Sequence, residues 1–426
     1  MSVIDKIKFK FKDQNRKAIL DDQIVALDIG TEYVKALVSK VSGDEINIFG
    51  VGRTHQQLSD MHSGAIADIS AVVANCSRAL TIAEEMAGFR AKKAIIGIAG
   101  ELVKGITHTV TYKRPDSARP IDTEEIGLII EKAQERSEEK ARAELAWETG
   151  NNEMDIKLVN SAIVAMYIDT YKVSNPIGFQ GGRVTVQLYS AFAPMIHIGA
   201  LEKTAQELDL DLIAVAAEPF AVSRSIIGTD ASSNLTAILI DIGGGTTDIA
   251  VVDDGGVQGT RMFGIGGRSF TKAIAAELNM DFIMAEKLKL HLNSPSQSTH
   301  VRSHALKALD KTIDVWISGI ELALTEFKTL DHLPNRILLC GGGSSLGPLV
   351  QALNHNQWYK DLPFAHKPTI QHIKPGEVNG IYDLTERVKD HTFVTSMGLL
   401  RIGYDTMISS TKNSELSESI QRMLRN

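Results

Sequence analysis

The sequence has little cysteine and lacks a long apolar run. Cys76 and Cys340 are the only cysteines, which excludes a disulfide framework and a four-cysteine zinc cluster. No apolar stretch reaches the roughly 18 residues of a membrane span, and the N-terminus lacks the apolar core and cleavage site of a secretory signal. With 45 basic and 52 acidic residues, the chain has no basic bias that would favour nucleic acid. These absences predict a cytoplasmic protein that does not bind nucleic acid.

The chain is long enough for several domains, and it contains one pattern twice. With 426 residues, 43% of them hydrophobic and 23% charged, it predicts a soluble globular protein with two or more cores. The segments IVALDIGTEYVKALV and AILIDIGGGTTDIAVV both consist of a buried strand, Asp-Ile-Gly, a hydroxyl residue and a second strand. They lie about half the chain apart, which is too far for a solenoid repeat and favours a duplicated domain.

The turn of each hairpin carries residues suited to phosphate. Glycine lets backbone N–H groups approach a ligand, and a run of such groups forms an anion-binding nest. The hydroxyls of Thr31, Thr246 and Thr247 can donate hydrogen bonds to phosphate oxygens. Asp28 and Asp241 end their strands, and carboxylates there would repel a polyphosphate unless a hard cation such as Mg²⁺ lay between. Ordinary turn geometry, the simpler interpretation, does not explain why Asp-Ile-Gly occurs twice.

A third glycine turn follows a strand in LLCGGGSSLGPL. Gly341, Gly342 and Gly343 would let a flat base lie against the backbone, while Ser344 or Ser345 would cap the helix that follows. The alternative is the ordinary strand–helix turn of any α/β protein. No turn in the chain matches Gly-x-Gly-x-x-Gly or Gly-x-x-x-x-Gly-Lys-Ser/Thr, so the common dinucleotide and P-loop motifs are excluded.

The two ends of the chain differ from its middle. The N-terminal segment MSVIDKIKFKFKDQNRK is rich in lysine, and its apolar residues fit one helix face or alternate residues of a strand equally well. At the other end, the small polar stretch MISSTKNS is typical of a linker. After it, Leu416, Ile420, Met423 and Leu424 recur at helical intervals, which predicts a short amphipathic helix.

Five segments in order resemble the nucleotide-binding motifs of the actin-like ATPase superfamily. LDIGTEYVKAL and LIDIGGGTTDIAVV resemble its two phosphate loops, AAEPFAV and TSMGLLRI its connecting segments, and LLCGGGSSLGPL its adenosine loop. AIIGIAGELVKGITHTVTYKRP, a charged helix and SNPIGFQGGRVTVQLYSAFAP resemble the inserted subdomain of the FtsA family of bacterial cell-division proteins. The resemblance implies an α/β actin-like ATPase fold, with duplicated ribonuclease-H-like lobes around a nucleotide cleft and an FtsA-type inserted subdomain.

The resemblance also implies where the domains lie. The expected parts are a basic N-terminal extension over 1–20, a first-lobe core over 21–93 and 195–232, an inserted SHS2-like subdomain over 94–194, a second-lobe core over 233–268 and 335–405, a helical subdomain of the second lobe over 269–334, a linker over 406–413 and an amphipathic C-terminal helix over 414–426.

Residues at matching positions acquire roles by resemblance. Asp28 and Asp241 would flank Mg²⁺, and Glu218 would orient the water that attacks the γ-phosphate of ATP; a plain Glu-Pro loop is the simpler interpretation of Glu218. Glu286 and Lys289 would contact the adenosine or form a solvated i, i+3 ion pair. The other nucleotide-binding residues are expected to be Gly30, Thr31, Gly243, Gly244, Gly245, Thr246, Thr247, Gly266, Gly267, Gly341, Gly342, Gly343 and Ser344.

The function implied by the resemblance is a polymerising ATP-binding protein that anchors FtsZ at the division site, on the inner face of the cytoplasmic membrane. Its partners would be the C-terminal peptide of FtsZ, further copies of itself in an actin-like filament, and the membrane surface. The C-terminal helix would bind the membrane, and the basic N-terminus offers a second contact. Whether ATP is hydrolysed is left open. The alternative is a PilM-like adaptor, which does not polymerise and binds a membrane-protein peptide in pilus assembly.

Overall fold

The computed structural model describes residues 22–151, 153–227, 234–292, 298–328, 330–355 and 357–410. The basic extension expected over 1–20 and the amphipathic helix expected over 414–426 lie outside these residues. Within the described ranges, no helix combines the length and apolar character needed to cross a membrane.

Strands and helices of these ranges belong to a mixed α/β fold. In chain order they are β1 (Gln23–Ile29), β2 (Tyr33–Ser42), β3 (Glu45–His55), β4 (Met61–His62), β5 (Ala65–Ile66), α1 (Ile69–Ala87), β6 (Lys93–Ile98), β7 (Lys104–Lys113), α2 (Thr123–Thr149), β8 (Ile156–Ile168), β9 (Tyr171–Lys172), β10 (Arg183–Pro194), α3 (Met195–Glu207), β11 (Asp211–Ala217), α4 (Glu218–Ile227), β12 (Ala237–Ile242), β13 (Thr247–Asp253), β14 (Gly256–Phe263), α5 (Gly267–Leu278), α6 (Phe282–Leu290), α7 (Thr299–Thr325), β15 (Arg336–Cys340), α8 (Gly347–His355), β16 (Thr369–His372), β17 (Ile381–Asp383) and α9 (Val394–Ser410).

A six-stranded sheet in the order β11-β6-β1-β2-β3-β17 forms the first lobe. β1 is buried along its whole length, as expected of an apolar strand between antiparallel β2 and parallel β6. Helix α1 packs closely on β3. A Cβ at Gly50 or Gly52 would lie 1.9 or 1.8 Å from a backbone oxygen of Ala83 or Ala79. These two glycines therefore allow the helix to approach the sheet.

A second sheet repeats the central arrangement of the first. Its order is β16-β15-β12-β13-β14-β7-β10-β8-β9. β12 pairs with antiparallel β13 and parallel β15, as β1 pairs with β2 and β6. The core of this lobe contains the fully buried side chains of Phe270, Trp316 and Ile320. The duplication predicted from the two Asp-Ile-Gly hairpins is therefore present in the strand topology.

The inserted subdomain consists of β7, α2, β8, β9 and β10. Ile126 and Ile129 of α2 pack into a core with the inner face of this sheet, and β7 joins the sheet to the second lobe by pairing with β14 (Gly259↔Ile106). In the structure, the insertion starts after β6 and not at the expected boundary, residue 94. Residues 93–98 form β6, which hydrogen-bonds to β1 and β11 in the first sheet. The first-lobe core therefore extends through Ile98.

Helix α9 closes the described chain and packs on α4 and β1. It runs through residue 410, so residues 406–410, expected at the start of a linker, are helical. Met407 and Ile408 are partly buried against the first core. Burial of these apolar side chains stabilises the last turns of the helix.

Candidate functional site

A cavity of about 650 Å³ lies where the β1–β2 and β12–β13 hairpins face each other. The starts of α4 and α5, the end of α6 and the glycine turn after β15 complete its wall. Among the residues expected at the site, the wall contains Asp28, Gly30, Thr31, Glu218, Asp241, Gly243, Gly244, Thr246, Gly267, Glu286, Lys289, Gly341, Gly342 and Gly343. Gly245, Thr247, Gly266 and Ser344 are not part of the wall. The structure thus gathers residues from distant parts of the chain around one cavity.

Thr247 lies behind the wall and makes contacts within the second lobe. Its hydroxyl donates to the backbone oxygen of Ile265 at 2.7 Å. It also accepts from Nε1 of the buried Trp316 at 2.8 Å. These contacts fix the hydroxyl in the core and keep it away from the cavity. Gly266 sits behind the same turn, where a Cβ would lie 2.8 Å from the backbone oxygen of Gly243.

The glycine turn after β15 continues as a short 3₁₀ turn before α8. Gly341 has φ +78°, and a Cβ there would lie 2.0 Å from Oδ1 of Asp241, so this position requires glycine. The expectation that a serine caps α8 is wrong. The Ser344 hydroxyl donates back to the oxygen of Gly341 at 2.7 Å, because the 3₁₀ turn directs it there. Ser345 Oγ lies 3.0 Å from Nε2 of His391.

The first hairpin neutralises its own carboxylate. The β1–β2 register places Lys35 opposite Asp28, and Lys35 Nζ donates to Asp28 Oδ2 at 2.9 Å. The hydroxyl of Ser396, from α9, donates to the same oxygen at 2.8 Å. Burial would lower the pKa of Lys35, but the charge and hydrogen bond of Asp28, together with the charges of Asp241 and Glu218, outweigh it and the pKa is raised. The lysine therefore stays charged beside its partner.

The second hairpin places two carboxylates opposite each other. Asp241 pairs with Asp248 in the β12–β13 register. Asp241 accepts a hydrogen bond from Thr395 of α9, and Asp248 Oδ2 accepts one from Thr246 at 3.3 Å. The other oxygen of Asp248, Oδ1, is buried and has no hydrogen-bond partner within the described ranges. Burial raises the pKa of both carboxyl groups, and the charge of Asp241 raises that of Asp248 further.

The tips of the two hairpins touch each other. A Cβ at Gly244 would lie 2.7 Å from Cβ of Glu32, and one at Gly245 would lie 2.7 Å from Oγ1 of Thr31. Glycine is therefore needed at these two positions to make room for the first hairpin. The sequence had suggested a different reason, the approach of backbone amides to a ligand. Close contact between the tips also closes this end of the cavity.

Glu218 is the first residue of α4 and follows β11 directly. Proline is tolerated in the first turn of a helix, so the Glu-Pro sequence begins a helix here. The side chain is buried, and a Cβ at Gly97 would lie 2.9 Å from its Oε1. Burial raises the pKa of Glu218 well above its ordinary value, and the charge of Asp28 is the next largest cause. This carboxyl group therefore keeps its proton to a higher pH than an exposed glutamate does.

On the opposite wall, Glu286 and Lys289 form the expected i, i+3 ion pair, but the pair is largely buried and not solvated. The two side chains form an i, i+3 ion pair at 2.8 Å, and both line the cavity. Lys289 Nζ also donates to the oxygen of Gly267 and to Oγ1 of Thr271, each at 2.9 Å. Glu286 accepts a hydrogen bond from Thr271. The pair is thus anchored to the first turn of α5, with its polar atoms at the cavity wall.

The carboxylates of the second hairpin fit a hydrated divalent cation. No group of three or more His, Cys, Asp or Glu side chains in the described chain is placed to hold a metal ion directly. Mg²⁺, however, usually keeps several waters and needs only one or two carboxylates. Asp241 and Asp248 supply these, and Oδ1 of Asp248 is a buried acceptor without a donor. The donor set therefore suits Mg²⁺ bound through water.

The duplicated lobes and the cavity between them are those of an actin-like fold. Among solved structures, the PilM-PilN type IV pilus biogenesis complex is similar in fold, with a TM-score of 0.63 and 17% sequence identity over 89% of this chain and 98% of that chain. At this identity the likeness shows the fold alone.

The sequence comparisons find similarity to one family of bacterial cell-division proteins. Residues 238–416 match the family model for the cell division protein FtsA. The chain is 26% identical over 420 residues to cell division protein FtsA of Pseudomonas aeruginosa, covering 92% of this chain and 93% of that protein. It is 27% identical over 400 residues to cell division protein FtsA of Neisseria meningitidis, covering 88% and 89%. Over most of its length the chain is thus similar in sequence to FtsA proteins.

The side chains of the wall that the sequence analysis did not assign to the site include Lys35, Asp248 and Arg268. Lys35 and Asp248 lie at the same distance after their Asp-Ile-Gly motifs. Pairing the two strands of each hairpin would therefore have placed both residues opposite the aspartates of the motifs. Arg268, at the start of α5, also lines the cavity. Its partners lie in the first lobe, far away in sequence, and no local pattern indicates them.

Proposed function

We propose that this chain binds Mg²⁺-ATP between its lobes, self-associates into filaments and anchors the FtsZ ring to the cytoplasmic membrane. The observation that carries the nucleotide assignment is the pair of facing hairpins, with two buried carboxylates on one of them. A phosphate chain there meets Lys35, the hydroxyls of Thr31 and Thr246, and the backbone of Gly243 and Gly244. Bound Mg²⁺ would neutralise the phosphate charge next to Asp241 and Asp248.

The remaining wall suits the other parts of ATP. Gly342 leaves open space, since a Cβ there would meet nothing within 4 Å, and the backbone of this turn can lie against the base. Glu286 and Lys289 offer a carboxylate and an ammonium group to the ribose. Glu218 is positioned to accept a proton from water once its own proton is lost, and its raised pKa delays that loss. General-base hydrolysis of bound ATP is the chemistry that this arrangement supports.

The nucleotide assignment is tested by titrating the full chain with ATP in the presence and absence of Mg²⁺. We expect Asp241→Ala to lose at least tenfold in affinity and to lose its Mg²⁺ dependence, because the cation loses a carboxylate. Asp310→Ala, which removes an exposed carboxylate on α7 of the same lobe, is the matched control. Unchanged affinity in a folded Asp241→Ala variant would overturn the site.

The filament assignment rests on the inserted subdomain. Deleting 94–194 would remove β6 and uncover β14, so point substitutions are better suited. Tyr171 and Phe179 are 77% and 52% exposed, and side chains of this type are common at interface cores. We expect Tyr171→Ser with Phe179→Ser to abolish polymers in electron micrographs and to leave ATP affinity unchanged. Polymers of normal length in this double variant would show that the subdomain is not part of the filament contact.

The membrane assignment rests on the apolar pattern over 414–426. We expect the full chain to cosediment with vesicles of anionic lipid in the presence of FtsZ. A chain that ends at residue 413 should lose this binding. Removing residues 2–17 should weaken binding to anionic vesicles only, and less at high salt, because that attraction is electrostatic. Equal sedimentation of the truncated chain would place the tether elsewhere and favour a non-polymerising adaptor.

A further inference from the structure

Arg268 connects the two hairpins of the cavity. Its backbone N–H donates to the oxygen of Gly244 in the second hairpin at 2.7 Å. Its side chain crosses to the first hairpin, where Nη2 donates to the oxygen of Thr31 at 2.6 Å and Nε to Oε2 of Glu32 at 2.8 Å. One residue thus holds the second hairpin by its backbone and the first by its side chain.

The guanidinium group has further acceptors on the same side. The backbone oxygens of Gln57 and Leu58 lie 3.3 and 3.4 Å from its nitrogens. Glu32 is also held by Nε2 of His55 at 2.7 Å. Arginine presents five donors in a planar fork, and lysine cannot reproduce this set of directions. The contact therefore depends on the shape of the arginine as well as on its charge.

The cost of breaking this contact is high, because Arg268 is only 9% exposed. A buried charge without its partner is strongly unfavourable. The same turn of α5 is tied to the second hairpin a second time, since the N–H of Gly267 donates to the oxygen of Gly243 at 2.9 Å. Any displacement of the second hairpin therefore moves Arg268, and with it Thr31 and Glu32.

We propose that Arg268 is a positioning residue that clasps the first hairpin to the second, so that both phosphate-binding turns move as one unit. Its effect on ATP rests on the proposed function; its effect on the hairpins does not. Arg268 acts on the nucleotide through Thr31, whose backbone it fixes and whose hydroxyl faces the phosphates in that assignment. Both lobes then respond to a ligand that touches either turn.

The test compares Arg268→Ala, Arg268→Lys and Glu32→Ala in the full chain, with Lys272→Ala as control. Lys272 is exposed on the same helix. Hydrogen exchange is followed over residues 28–35 without nucleotide, and Mg²⁺-ATP affinity is measured separately. We expect faster exchange in Arg268→Ala and about a tenfold loss of affinity, a typical coupling between sites. Arg268→Lys should recover part of both, because it keeps the charge.

A double variant separates positioning from a general loss of stability. Arg268→Ala with Glu32→Ala should lose no more affinity than Arg268→Ala alone, because the contact that Glu32→Ala removes is already lost in Arg268→Ala. Additive losses, or unchanged exchange over 28–35 in Arg268→Ala, would overturn the clasp. If Arg268→Ala fails to fold, Arg268→Lys and Glu32→Ala decide by the same exchange measurement. If the unmodified chain binds no ATP, the proposed function fails while the exchange measurement still decides the clasp.

Discussion

The two hairpins have the same backbone arrangement but differ in the charges they carry. In the first, Asp28 lies opposite Lys35 and the two form an ion pair. In the second, Asp241 lies opposite Asp248 at the same position of the hairpin. A lysine in one copy thus corresponds to an aspartate in the other, so one hairpin has an ion pair where the other has two carboxyl groups.

This difference shows that two copies of one fold can balance their buried charges in different ways. The first hairpin carries its own cation and needs no ligand to balance its charge. The second holds two buried carboxyl groups with raised pKa, and burial is the largest cause of each shift. Burying these two carboxyl groups in the nucleotide-free protein costs free energy, and binding sites often carry such a cost. In the proposed complex, a cation arriving with the nucleotide would remove this cost.

The strongest test of the comparison removes the lysine. Lys35→Met leaves Asp28 buried without its cation, and breaking a buried pair in this way costs about 3–5 kcal/mol of unfolding free energy. Urea unfolding of the nucleotide-free chain measures the loss. Asp28→Asn combined with Lys35→Met is the matched control and should lose much less, because no charge is left unpaired. An equal loss in both variants would contradict the charge argument.

A second test concerns the contact between the hairpin tips. Gly244→Ala places a Cβ 2.7 Å from that of Glu32, and such overpacking costs roughly 1–3 kcal/mol. Gly342→Ala is the control, because a Cβ there would meet nothing within 4 Å. We expect Gly244→Ala to destabilise the chain and Gly342→Ala to leave the unfolding midpoint nearly unchanged. Equal midpoints for Gly244→Ala and the unmodified chain would show that the tips separate without cost.

A third test changes the charge of the second hairpin. Asp248→Asn keeps the shape and the acceptor for Thr246 but removes a buried charge, so we expect it to stabilise the nucleotide-free chain by roughly 1 kcal/mol. The same change should weaken Mg²⁺-dependent ATP binding, since the cation loses a carboxylate. Thermal unfolding and ATP titration measure the two effects. A variant that is less stable without ligand would mean that Asp248 already has a compensating partner.

The sequence predicted the hairpins because their signal is local. Asp-Ile-Gly between two apolar strands fixes the turn, and the repeat half a chain away predicts the duplication. The clasp by Arg268 could not be predicted, because it depends on how two distant segments meet across the cavity. The extent of the first core was misjudged for a related reason: β6 belongs there by hydrogen bonds to β1 and β11, and its composition suits either lobe.

The smallest effect is expected in the pH dependence of stability. Asp248 has a raised pKa in the folded chain. Between its unfolded pKa of about 3.9 and that raised pKa, the folded state therefore binds more protons than the unfolded state. Unfolding free energy then falls as pH rises through the raised pKa, and the contribution is fully present only below the unfolded value. The difference in unfolding free energy between Asp248→Asn and the unmodified chain should therefore grow from pH 4 towards pH 8 without Mg²⁺. The matched substitution Asp253→Asn, at the partly exposed end of β13, is the control for removing a carboxyl group from the same strand. A flat difference for Asp248→Asn would mean that this carboxyl group titrates like an exposed one, and that the charge contrast between the hairpins has no energetic consequence.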